Sequence, residues 1–116
     1  MKIKTAELTG AALDWVVAKC EGEEYRDRME WDGIGQDYPA HKYSTDWSQG
    51  GPIIEREEIL FVGSTGKYSA WLSNRSIFDF NYQSPTHLIA AMRCWVTFKL
   101  GDEVDIPAEL VQSNPI

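Results

Sequence analysis

The chain has 116 residues, 43% of them hydrophobic and 25% charged, which is ordinary for one soluble domain with a core of its own. Eleven basic residues against eighteen acidic ones leave a formal charge of −7. The basic residues are scattered, which disfavours a general nucleic-acid binder, and no apolar run approaches the ~18 residues of a membrane span.

In chain order, the start "MKIKTAELTG" lacks the apolar stretch of a secretion signal, so a soluble, cytoplasmic protein is expected. Residues 1–4 read as a short extended entry around Ile3. Thr9 is placed to cap a helix over "GAALDWVVAKC", with Asp14 early and Lys19 late as the helix dipole prefers. Leu13, Val16, Val17 and Cys20 form its buried stripe, bordered by Trp15. Gly22 follows where a left-handed residue closes a helix. Cys20 and Cys94 have no C-x-x-C partner and read as buried, reduced thiols.

Residues 23–42 carry no sustained period, mixed charge, two glycines and a proline, and read as a long surface loop. Trp31 and Tyr38 are expected to anchor it to the body. Such a loop is either a lid or binding element or a tolerated insertion, and insertion is the favoured reading. The five tryptophans and five tyrosines leave a similar choice between core filling and an aromatic contact surface, core filling being favoured.

The stretch "YSTDWSQGGPIIE", residues 43–55, sets capping residues against two glycines and a proline. Ser44 and Thr45 can cap a turn starting at Asp46. Proline is tolerated in a first helical turn but not deep inside a helix. The expectation is therefore a short turn at 46–49, a break at Gly50-Gly51, and a second start with Pro52 in the first position. On this reading Gly51→Ala costs stability. The open amides of Gly50 and Gly51 could hold an anion, with Trp47 stacking on a planar ligand and Gln49 bonding to it. In the plainer alternative the glycines only break the helix and Trp47 packs in the core.

"ILFVG", "STG" and "KYSAWLS" then read as strand, turn and strand, with Tyr68, Ala70 and Leu72 on one face. "SIFDFNYQ" gives a third strand alternating at Phe78, Phe80 and Tyr82. Ser84 and Pro85 supply a cap and first position for a broad-striped helix closed by Gly101, which suits a central place against the sheet. Its Arg93 faces away from the main stripe, as a surface charge or as a partner for Asp46 or a loop carboxylate. Residues 102–111 read as an extended arm ending in a proline-started turn, with 112–116 frayed.

His41 and His87 have no carboxylate or cysteine at ligand spacing, so both read as solvated, and no metal or cofactor is expected. G-x-S-x-G, H-E-x-x-H and phosphate-loop patterns are absent from the sequence. An enzyme is not expected.

Three segments together, "MKIKTAELTGAALDWVVAKCEG", "YSTDWSQGGPIIERE" and "LIAAMRCWVTFKLGDEVDIPAEL", resemble the NinX-like family of small proteins carried by lambdoid bacteriophages and enterobacterial prophages. The positions matching its central motif are Tyr43, Ser44, Thr45, Asp46, Trp47, Gln49, Gly50, Gly51 and Pro52. The resemblance implies a phage accessory protein and a domain like an alpha-beta-alpha sandwich. It carries over no activity and no catalytic residue.

The expected fold is α+β, about three helices packed with a small antiparallel sheet of about three strands. The expected function is a non-enzymatic module binding a host or phage protein, with homo-oligomerisation open. Its candidate contacts are Tyr43, Asp46, Trp47, Gln49, Gly50, Gly51 and Arg93. The alternative is a binder that sequesters a nucleotide-like or anionic metabolite. A DNA mimic, or a recombination or replication factor acting on nucleic acid, is weaker.

Overall fold

In the computed structural model, which describes residues 1–72 and 80–111, the chain runs β1 (Lys2–Lys4), a 3-10 turn (Thr5–Glu7), α1 (Gly10–Cys20), β2 (Glu30–Trp31), β3 (Asp37–Tyr38), α2 (Trp47–Glu57), β4 (Ile59–Ser64), β5 (Lys67–Leu72), β6 (Phe80–Ser84), α3 (His87–Leu100), β7 (Glu103–Asp105) and α4 (Ala108–Val111). The class is α+β, as the sequence reading has it. β4, β5 and β6 form the expected three-stranded antiparallel meander, while β1 pairs with β7 and β2 with β3. Part of the strand expected over 76–83, including Phe78, and the frayed 112–116 lie outside the described residues.

α3 is the centre. Every residue from Leu88 to Thr97 is buried, which marks a helix enclosed on all sides rather than one with a single apolar stripe. It packs on the three-stranded sheet and also against α1, α2 and the 3-10 turn. The sheet offers it Ile59, Ala70 and Leu72, all buried. The opposite face of β4 presents Leu60 and Val62, 46% and 59% exposed. A two-residue turn at Thr65-Gly66, with φ of 56° and 77°, joins β4 to β5; both signs are those of the hairpin turn whose twist matches the strands.

α1 has the bounds expected from its pattern. Gly22, φ 77°, closes it, with its N–H donating to the Lys19 carbonyl at 3.1 Å and the Glu23 N–H reaching the Ala18 carbonyl at 2.8 Å, so the last carbonyls are satisfied. Thr9 is the cap residue by backbone, but its side chain makes no capping bond.

α2 corrects the expected break. One continuous helix runs from Trp47 to Glu57, and its cap is Asp46, whose Oδ1 accepts the Ser48 N–H at 2.9 Å. Pro52 sits inside it. The proline removes one donor, which would have served the carbonyl of exposed Ser48, where water can substitute. Gly50 is present for space: a Cβ there would lie 2.5 Å from the Tyr43 carbonyl oxygen and 2.6 Å from Leu88 Cδ1. Gly51 has no such need. Its Cβ would meet only Trp47 Cε3 at 3.8 Å, so the cost expected for Gly51→Ala has no basis in the packing.

The start of α3 is also shifted. Thr86, not Ser84, is the cap and accepts the Ile89 N–H at 3.1 Å. Ser84 stays in β6, and its hydroxyl takes a different role.

Candidate functional site

Among the residues singled out from sequence, Tyr43, Asp46, Gln49 and Gly50 come together, and what they build is a joint. The Gln49 side chain is braced at both ends: Oε1 accepts the Lys42 N–H at 2.8 Å and Nε2 donates to the Ala40 carbonyl at 2.9 Å. The Gln49 and Gly50 N–H groups both donate to the Asp46 carbonyl at 2.9 Å. Gly51 lies within the helical ladder that follows. The amides that an anion would need are thus engaged in the helix itself. Bonds from Ser48 hold the Asp46 carboxyl below its ordinary range, as suits an N-cap. Trp47 does not pack in the core; it is 52% exposed and touches Phe61, ring centroids 6.4 Å apart.

Arg93 is not at the surface, is not paired with a carboxylate among the described residues, and sits apart from this joint. It is buried, with Nε donating to the Leu8 carbonyl at 2.7 Å and Nη1 to Ser84 Oγ at 3.0 Å. Burial lowers its pKa from the usual value. The guanidinium cross-links the end of the 3-10 turn, β6 and α3.

The 23–42 segment has two parts of opposite character. Its root is fixed by His41, which is buried, not solvated. His41 Nδ1 accepts the Arg26 N–H at 2.8 Å, so the ring proton is on Nε2, facing Glu23 Oε1 at 2.9 Å. Glu23 Oε1 also accepts from the Tyr43 hydroxyl at 2.7 Å, and the Tyr25 and Tyr43 rings flank the imidazole. Both imidazole nitrogens are occupied, which leaves no lone pair for general-base work. The Tyr43 bond is the main reason the Glu23 carboxyl is held below its ordinary range. Beside it, Asp14 is buried and accepts the Ser44 N–H at 2.8 Å; desolvation raises its pKa despite that bond.

The other part is the tip. Residues 27–39 are all exposed, and they include Met29, Trp31, Ile34 and Tyr38, at 63%, 66%, 89% and 41%. Trp31 and Tyr38 therefore do not anchor the segment, as was expected of them. They sit on the β2–β3 hairpin, where Glu30 pairs with Tyr38 and Trp31 with Asp37. Asp32 Oδ1 ties its turn by accepting the N–H groups of Ile34 and Gln36.

A family model described as "Bacteriophage P22, NinX" matches residues 4–99. The chain belongs to the NinX family. No curated protein matches it. The NinX match runs from the end of β1 to α3, and so takes in the joint, the root and the tip. It places the chain among bacteriophage proteins, as the resemblance implied. Of the motif positions that carry that resemblance, Tyr43, Ser44 and Gly50 are buried and Asp46 caps α2, which is the chemistry of a joint between a loop and two helices.

His87 is half-buried in the NinX chain, its ring 4.8 Å from Phe61 and 4.0 Å from Tyr68. Burial pushes the Cys20 and Cys94 thiols up to about 11 and about 12, so neither is a ready nucleophile. Among the described residues no three histidine, cysteine or acidic side chains come together as a metal site, and no helix is long and apolar enough to cross a membrane.

Proposed function

We propose that this NinX-family chain is a non-enzymatic accessory module of the phage, working in the host cytoplasm by binding a host or phage protein through the tip of the 27–39 hairpin. One observation carries the reading: four large apolar side chains are exposed on one short hairpin, Trp31 and Tyr38 on its opposite faces, above a root fixed by the buried, hydrogen-bonded His41. Large apolar groups collected on one exposed element mark interaction surfaces, and tryptophan, tyrosine and methionine are the side chains that interface cores favour. The fixed root spares a partner part of the ordering cost of binding. Asp27 pairs with Arg28 at 3.5 Å, while Glu30, Asp32 and Asp37 leave the tip acidic on balance, so the fitting partner has an apolar cleft rimmed by basic groups.

The test is tagged capture from phage-infected cells, comparing the wild type with a Trp31→Ser/Ile34→Ser variant. A protein retained by the wild type and lost from the variant, at unchanged melting temperature, is the expected result. Capture that survives the double substitution rejects the hairpin as the contact surface.

A further inference from the structure

We propose that β4 is a dimerisation edge, pairing antiparallel with the β4 of a second copy about a two-fold axis through Phe61. In the order β4-β5-β6, β4 is an edge strand. The two-residue turn at Thr65-Gly66 makes Ser64 and Lys67 a hydrogen-bonded pair. From there the alternation of an antiparallel ladder assigns the groups of Leu60, Val62 and Ser64 to β5. The N–H and C=O groups of Ile59, Phe61 and Gly63 then point away from β5. None of them has a backbone partner outside that ladder among the described residues.

Edges are normally blunted with charge, proline or a covering element, because an open one pairs with whatever strand it meets. β4, "ILFVGS", has no charge and no proline, and four of its six residues are exposed. Three outward residues at alternate positions form a self-complementary set. With Phe61 opposite its own copy, Ile59 faces the second copy's Gly63, and Gly63 faces its Ile59. In the same register Leu60 falls opposite the second copy's Val62, and Val62 opposite its Leu60, as closely spaced non-hydrogen-bonded pairs. Leu60 and Val62, both exposed on the sheet's outer face, thereby lie side by side with their counterparts along the seam. In this register Glu58 falls beside the second copy's Ser64, with that copy's Lys67 one strand further in, so unlike charges lie at each end of the paired edge. Pairing through one six-residue strand is a small contact beside stable interfaces of ~1,200 Å² and more, so the association is expected to be weak and to build up over a concentration series.

This inference does not rest on the hairpin reading, and its test leaves residues 27–39 untouched. Sedimentation equilibrium of the full chain over a concentration series, with circular dichroism as the folding control, compares the wild type with Leu60→Lys and Val62→Glu. The wild type is expected to move toward dimer as concentration rises, and each variant to associate about tenfold more weakly. An equimolar mixture of the two variants recovers dimer, because the register sets the new lysine opposite the new glutamate. Val62→Thr keeps strand propensity, and is expected to weaken association should the charged variants fold poorly. A wild type that stays monomeric, single variants that still dimerise, or a mixture that fails to recover would each overturn the proposal.

Discussion

The root and the tip of the 23–42 segment are separated by a few residues and built to opposite rules. At the root, polar groups are answered by one another: buried His41 by Arg26 and Glu23, and the more exposed Glu23 by Tyr43. At the tip, apolar groups are exposed on two-residue strands that turn about Asp32. A loop that only spaced two elements would need neither device. A rigid base under an apolar tip is the design of a presented contact.

The comparison breaks most readily at the root. His41→Ala removes both anchors and leaves the Arg26 N–H without its acceptor, so it should cost about 2–4 kcal/mol in denaturant melts. Gly50→Ala presses a methyl onto the Tyr43 carbonyl and Leu88, and a loss of about 1–3 kcal/mol is expected from overpacking. Its neighbour moves the other way. Gly51→Ala makes only an ordinary contact with Trp47 and gains helix propensity, up to about 1 kcal/mol, in the same assay.

Asp14 and Glu23 sharpen the picture through pH, because their signs differ. Burial holds Asp14 above its ordinary 3.8, so the stability linked to its protonated form is complete below that value and is lost as pH rises through the folded one. Asp14→Asn should therefore gain melting temperature on the wild type as pH is raised from below 3.8. Glu23, held low, contributes stability above its ordinary 4.5 that is lost as pH falls through its folded value. The smallest effect belongs to the tip: Trp31→Ser with Ile34→Ser should shift stability by no more than about 0.5 kcal/mol, because nothing packs there to be lost. A large loss in that variant would mean that the tip is a structural element after all.

The elements with strong local signals were legible in sequence. α1 ends where Gly22 says, the β4–β5 hairpin turns where "STG" says, and α3 is central as its broad stripe implies. What escaped reading was set by contacts between distant parts of the chain. Gly50 is a glycine because of Tyr43 and Leu88, not because of its neighbours, so a local rule turned a packing requirement into a helix break. His41 looked solvated because Glu23 and Arg26, its partners, lie far before it in the chain. Trp31 and Tyr38 looked like anchors because large aromatics usually are. The resemblance marked residues 43–52 as the most recognisable stretch, and the structure shows a joint there, which family membership preserves as readily as a binding site.

The enclosure of α3 has a consequence for synthesis. α1 and α2 are both made before the helix they pack on, and the partner of β1 follows even later. The nascent chain therefore has no core to close until roughly residue 100 has emerged, since a domain folds as a unit. Until then the apolar face of α1, and from mid-chain that of β4, is open to chaperones and proteases, so the yield of this small protein is expected to depend on how quickly its last third is delivered.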